Sequence, residues 1–187
     1  MINLKENQLL PNKKIYKYLD NIITNKSFAN GYIFYGAEGV GKKKAAFKFI
    51  KEIFKQSSLS NNIESKINNN NHPDLLVIEP GSSLETKNSN IEKTKKSGIE
   101  IIKIDQVRNI KTFLGHKSVE SEKKIVLISD AHLLNEAASN CLLKTLEEPS
   151  NGIFILLTSQ LNLLLDTIIS RCQLVRFRSF SVTQIEV

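Results

Sequence analysis

The chain is 187 residues long and 41% apolar, with 26 Lys and Arg against 19 Asp and Glu, a formal charge of +7. No apolar run approaches the ~20 residues that a membrane span needs, and Met1-Ile2-Asn3-Leu4-Lys5 lacks the basic and then apolar pattern of a secretion signal. With only Cys141 and Cys172, a disulfide framework and a cysteine-built metal site are excluded, so the expectation is a soluble cytoplasmic protein, most simply of one domain.

The charge has two readings. Lysine carries nearly all of it, the arginines being Arg108, Arg171, Arg176 and Arg178, as an A/T-rich genome would write on any solvated surface. It marks a nucleic-acid face only if it clusters on one side of the fold.

A first strand is expected at 32–35, followed by Gly36-Ala37-Glu38-Gly39-Val40-Gly41-Lys42-Lys43. Strand, glycine-rich turn and then helix is the context of a phosphate-binding loop. Its glycines turn N–H groups inward, the helix N-terminus adds a favourable dipole, and Lys42 reaches the outer phosphates. One position fails. The residue after the lysine should offer a hydroxyl to magnesium, and Lys43 offers an ammonium with no lone pair. Two readings stay open: a cradle that still takes nucleotide, or a glycine turn kept for its shape.

Beyond Gly41, Ala46, Phe49, Ile50 and Ile53 recur at helical spacing. The Ser- and Asn-rich stretch 56–71 reads as a surface insertion, and His72 before Pro73 as a turn residue. A second strand follows at 75–78, then a polar insertion at 81–98. Asp105 is a candidate cap for a helix carrying Val107, Ile110 and Leu114. The third strand, 125–128, runs into Ser129-Asp130-Ala131-His132. An apolar strand ending in aspartate is how phosphate-loop ATPases hold the magnesium shell. Asn135 is expected to cap a helix with Ala138, Cys141, Leu142 and Leu146 on one face and Pro149 just past its end. Strands at 153–157 and 174–177 complete the alternation. Near-continuous apolar strands between helices predict an α/β fold, a mostly parallel five-stranded sheet with helices on both faces. Glu147 and Glu148 read as solvent-facing or subunit-contact charges, and Cys172 as a small buried apolar residue.

Taken in order, several segments resemble the clamp-loader ATPases of bacterial DNA polymerase III, members of the AAA+ phosphate-loop class. They are 32–42, His72-Pro73-Asp74-Leu75, Ile104-Asp105-Gln106-Val107-Arg108, Asp130-Ala131-His132, Asn140-Cys141-Leu142-Leu143-Lys144-Thr145-Leu146-Glu147-Glu148-Pro149 and Ser170-Arg171-Cys172. The resemblance runs from about Gly31 to Phe177. Gamma/tau motor subunits keep Lys-Thr in the loop and Asp-Glu after the third strand. Lys42-Lys43 and Asp130-Ala131 therefore favour the degenerate delta-prime type.

The resemblance implies that Arg171 acts as an arginine finger in a neighbouring subunit's ATP site. It also implies that Gly36, Gly39, Gly41, Lys42 and Asp130 are what remains of a nucleotide site. Thr158 or Ser159 then senses phosphate, unless it only caps a loop. No cofactor is required under this reading, weak ATP or ADP binding stays open, and zinc is not expected, since 56–71 lacks the four cysteines of many relatives. Gamma/tau and delta subunits in a ring, the sliding clamp and a weak or indirect DNA contact are the implied partners. The polymerase activity belongs to the holoenzyme. The core would be 1–177, with 178–187 opening a lid whose remainder, with the C-terminal collar, lies outside the chain; the chain is then a trimmed or an unusually short homologue. Two other classes remain, a divergent clamp-loader ATPase that hydrolyses slowly and a stand-alone interaction module.

Overall fold

The computed structural model describes residues 12–57, 62–81, 100–148 and 152–179. Nearly all of the insertion expected at 81–98, the final residues from 180 onward and Pro149 lie outside them. Five strands form one sheet: β1 (Gly31–Tyr35), β2 (Leu75–Ile78), β3 (Lys124–Ile128), β4 (Gly152–Thr158) and β5 (Gln173–Arg176). Their order is β2-β3-β4-β1-β5, and every pairing is parallel, a stricter arrangement than the sequence implied. Each expected strand is present within a residue of its expected bounds. Phe177 falls just beyond β5, although its N–H still donates to Tyr35 O at 2.7 Å.

Successive strand residues face opposite sides, so continuous apolar runs build two cores. Tyr32, Phe34, Ile125, Leu127, Ile153, Ile155 and Leu157 pack beneath α1 (Lys13–Thr24), α2 (Lys42–Ser57) and α3 (Ile63–Asn68). Ile33, Val126, Ile128, Phe154 and Leu156 pack beneath α4 (Ile104–Gly115), α5 (Glu136–Glu147) and α6 (Asp166–Ile169). The sheet is thus the middle of three layers.

The helices hold two corrections. Asp105 does not cap α4. The preceding residue is Lys103, whose N–H donates to the Gln106 side chain at 2.9 Å, while Asp105 sits in the first turn and pairs with Arg108 at 3.1 Å. Asn135 does cap α5, accepting from the Ala138 N–H at 2.8 Å. The supposed surface insertion 56–71 contains α3, whose Ile63 and Ile67 are buried under α2. Their spacing of four places both on one helical face, a signal drowned by the surrounding asparagines.

His72 is a turn residue, its carbonyl accepting from the Leu75 N–H at 3.1 Å, and it is buried. Its ring stacks on Phe54 at 4.1 Å, its Nδ1 accepts from the Asp74 N–H at 3.2 Å, and burial lowers its pKa. Asp74 is fully buried, and its carboxylate accepts from the N–H groups of Val119, Glu120 and Ser121 at 2.8, 2.7 and 2.9 Å and from the Ser121 hydroxyl at 3.2 Å. The His-Pro-Asp segment is therefore the corner that fixes the loop entering β3. Beside it, the buried Lys124 ammonium donates to Phe113 O at 2.5 Å and sits over the Phe113 ring, a cation at the C-terminal end of α4.

Candidate functional site

The site lies at the C-terminal ends of the strands, where open α/β sheets hold their ligands. After Tyr35 the chain turns at Gly36, φ 147°. A Cβ there would lie 2.3 Å from Phe177 O, so only glycine fits. Gly39 and Gly41 have φ of 75° and 89°, in the left-handed region that a glycine occupies without strain. The loop delivers the chain into α2, whose first bond is Ala45 N–H to Gly41 O at 3.0 Å.

Lys42 reaches back over this loop. Its ammonium donates to Gly36 O at 2.7 Å and to Ala37 O at 2.6 Å. Burial lowers its pKa, opposed by the Asp130 and Glu38 carboxylates. A cavity of about 860 Å³ opens beside it, lined by Gly39, Gly41, Lys42, Lys43, Ser129 and Asp130 among others. Four of the expected site residues thus meet at one place. Gly36 supports the loop from behind.

One expected site residue, Thr158, does not line the cavity. Thr158 is fully buried, and its hydroxyl accepts from the Gln160 N–H at 3.0 Å and lies 3.3 Å from His132 Nδ1. Of its two readings, the loop cap is the one these contacts fit. Lys43 turns to Glu79, just past β2, in a 2.7 Å ion pair.

At position 43 an ammonium stands where the hydroxyl ligand of a phosphate-loop magnesium belongs. Ala131, where the resemblance expects the water-polarising glutamate, is fully buried in the apolar core under α4 and α5. Asp130 keeps its place at the strand end in a left-handed conformation, φ 48°. Among the described residues no group of three or more His, Cys, Asp and Glu side chains comes together as a metal ligand set.

Arg171 stands apart from the cavity, on the turn that follows α6. Its guanidinium donates to Glu147 Oε1 at 2.6 Å and to Thr167 O at 2.9 Å, and it remains exposed. Glu148 pairs with Lys111 at 2.9 Å. Cys172 is turned inward, its thiol pushed up to about 11 by burial.

Three features had no signal in the sequence. The Lys43–Glu79 pair closes across 36 residues. Ser129 lines the cavity and is 5% exposed, and its buried hydroxyl has no hydrogen-bond partner among the described residues. Asn12 bridges the fold. Its Oδ1 accepts from the Arg178 N–H at 3.0 Å, and its amide nitrogen faces Arg178 O at 3.4 Å and Val40 O at 3.5 Å.

With this geometry in place, comparison with known proteins decides the family. The family model described as DNA polymerase III, delta subunit, matches residues 11–181. The chain belongs to that family.

Among curated relatives, DNA polymerase III subunit delta' of Bacillus subtilis (strain 168) is 34% identical over 192 residues, 99% of this chain and 53% of the relative. The delta' subunit of Pseudomonas aeruginosa is 34% identical over 77% of this chain and 42% of its own length. The gamma/tau subunit of Mycoplasma genitalium is 31% identical over 96% of this chain and 28% of its own length. This chain spans about half the length, or less, of these relatives. A gamma subunit-related protein of Thermotoga maritima superposes with a TM-score of 0.64 at 24% identity, covering 89% of this chain and 46% of that one. RuvB of the same organism does so at 0.55 and 16%, covering 95% and 47%. Both show the AAA+ phosphate-loop fold, and the likeness goes no further. No helix of the described residues is long and apolar enough to cross a membrane.

Proposed function

We propose that this chain is the ATPase-like core of a delta-prime clamp-loader subunit, which regulates hydrolysis by a neighbour and does not hydrolyse ATP itself. It would act in the cytoplasm in a ring with gamma/tau and delta subunits, helping to place the sliding clamp on primed DNA. Its own DNA contact would be weak or indirect. The observation that carries this reading is the pairing of an exposed Arg171 on the Ser170-Arg171-Cys172 turn with a cavity that has lost its metal hydroxyl to Lys43. Zinc has no place in the reading.

The chemistry follows from the guanidinium. Its planar fork of donors matches phosphate oxygens bidentately. Glu147 and Thr167 O hold it in the isolated chain. An exposed ion pair of this kind is worth ~0–1 kcal/mol. A neighbour's triphosphate, offering stronger charge in a drier setting, would draw it away at little cost.

The test is the ATPase rate of a clamp loader reconstituted with full-length wild type or Arg171→Ala, with clamp and primed DNA present. We expect a drop of several-fold or more with the ring still assembled; arginine fingers in well-studied cases account for ~10³–10⁵-fold. Arg171→Lys should rescue poorly, since an ammonium has no fork. An unchanged rate in an assembled ring would retire the finger role. Magnesium-dependent turnover by the chain alone, abolished by Lys42→Ala, would favour the divergent ATPase instead.

A further inference from the structure

We propose that the outer face of α1 and α2 binds the phosphate backbone of nucleic acid through Lys13, Lys14, Lys17, Lys44 and Lys48. This gives the weak DNA contact of the proposed function a place on the chain. It stands without Arg171, and its failure would leave the trans reading intact.

The charge is unevenly spread over the fold. Helices α1, α2 and α3, on one side of the sheet, carry ten lysines against Asp20, Glu52 and Glu64, a net of +7. Helices α4, α5 and α6, on the other side, carry three cations against four carboxylates, a net of −1. A lysine bias imposed by genome composition would load both layers alike. Clustering on one side of a fold is the footprint of a polyanionic partner.

Within the basic layer the unpaired lysines gather at one end. Helices α1 and α2 lie side by side and run in the same direction. Asn12 faces Val40 O at 3.5 Å, Lys48 stands 5.1 Å over the Tyr16 ring, and Asp20 lies within electrostatic reach of Lys48 and Glu52. Toward the far end Lys51 and Lys55 pair with Glu64, and Lys66 with Glu120. At the near end neither 12–19 nor 42–51 contains an acidic residue. The five lysines there form no ion pair among the described residues. Exposed Arg178 joins them, its N–H tied to Asn12 at 3.0 Å.

This arrangement works against the helices themselves. Cations are disfavoured at a helix N-terminus, yet the first turn of α1 holds Lys13 and Lys14 and that of α2 holds Lys42, Lys43 and Lys44, with no acidic residue in either. Lys13 and Lys17, like Lys44 and Lys48, also repel one another four residues apart. Two adjacent helices that break the same rule mark a surface selected for a partner.

The rest of the face identifies that partner's chemistry. Among the described residues, Tyr18 at 37% is the one exposed large apolar side chain on α1, α2 and α3, so the apolar centre of a protein interface is missing. A phosphate backbone needs no such centre. Lysines four apart are separated by about 6 Å along the helix axis, comparable with the step between neighbouring phosphates of a strand. Tyr18 follows Lys14 by four positions and shares its helical face, where its ring can stack on an unpaired base. Point charges with no base-reading groups give binding that is weak, independent of sequence and sensitive to salt, with a Kd on the order of 10⁻⁵–10⁻⁴ M near physiological salt.

The experiment is a fluorescence-anisotropy titration of the full chain with short single-stranded and duplex oligonucleotides of mixed sequence, between about 50 and 200 mM salt. Wild type is compared with the triple variant Lys13→Glu, Lys17→Glu, Lys44→Glu. The control triple, Lys103→Glu, Lys117→Glu, Lys144→Glu, has the same net charge. Melting temperatures check that both triples fold. We expect the first triple to weaken binding at least about tenfold and to flatten the salt slope by about one per lost contact, with the control triple within about threefold of wild type. Tyr18→Ala should weaken single-strand binding and leave duplex binding unchanged. No wild-type binding at the lowest salt would overturn the proposal, as would equal losses in the two triples. Binding of polyglutamate or of anionic phospholipid vesicles as tight as that of DNA would overturn the assignment to nucleic acid.

Discussion

Asp74 is one side chain that sets a whole corner. Its carboxylate is buried, which alone would raise its pKa, yet the N–H groups of Glu120, Val119 and Ser121 and the Ser121 hydroxyl outweigh burial and hold it below its ordinary value. A carboxyl depressed on folding stabilises the protein above its unfolded pKa, and that contribution is lost as pH falls through the lower folded value. Asp74→Asn keeps one acceptor and turns an NH₂ toward an N–H donor. We expect a loss of ~1.5–3 kcal/mol at neutral pH, read from the midpoint of urea denaturation. The gap to wild type should narrow in acid below the ordinary carboxyl value of 3.8. A gap that persists unchanged there would mean that the charge is not what Asp74 contributes. The residue scale is also where sequence is least legible. That Lys43 replaces a hydroxyl is readable from the loop motif alone. That it pairs with Glu79, or that Thr158 is turned toward His132, depends on which strand ends adjoin, and no local pattern encodes that.

At the scale of elements the sequence speaks most clearly where burial is two-sided. The expected strand cores at 125–128 and 153–157 match β3 and β4 because interior strands covered on both faces cannot avoid continuous apolar runs. Helix α1 was not anticipated. Its apolar positions Leu19, Ile22 and Ile23 lie among lysines and an aspartate, with no side-chain cap to mark its start. Element contacts also explain a glycine. A Cβ on Gly31, at the start of β1, would lie 2.7 Å from Cys172 Sγ on the turn after α6. Gly31→Ala should therefore cost ~1–3 kcal/mol by overpacking. Pairing it with Cys172→Ala should recover most of that loss, a coupling that a double-mutant cycle of melting temperatures would register. Additive costs would place the strain in the β1 backbone instead. If the coupling holds, Cys172 is the packing element that seats the Arg171 turn against the sheet.

Across the whole molecule, one residue joins the two ends of the described fold to the phosphate loop. Asn12 sits before α1, is 7% exposed, and binds both the N–H and the carbonyl of Arg178, 166 positions away, while its amide also faces Val40 O inside the loop. The same exit segment presses Phe177 O against Gly36. Loop, entering chain and departing chain therefore share one hydrogen-bonded node. Asn12→Ala would strand buried polar groups at this node and should cost ~1–3 kcal/mol. Global stability alone cannot separate a coupling role from ordinary packing. Hydrogen exchange can, because local opening proceeds at free energies below that of global unfolding. In Asn12→Ala, amides of 36–42 and 177–179 should exchange faster by a larger factor than amides in β3 and β4, which open only with the whole molecule. A uniform acceleration would show that Asn12 contributes stability and nothing more. The differential result would make it the pin that couples the chain after β5 to the glycine loop.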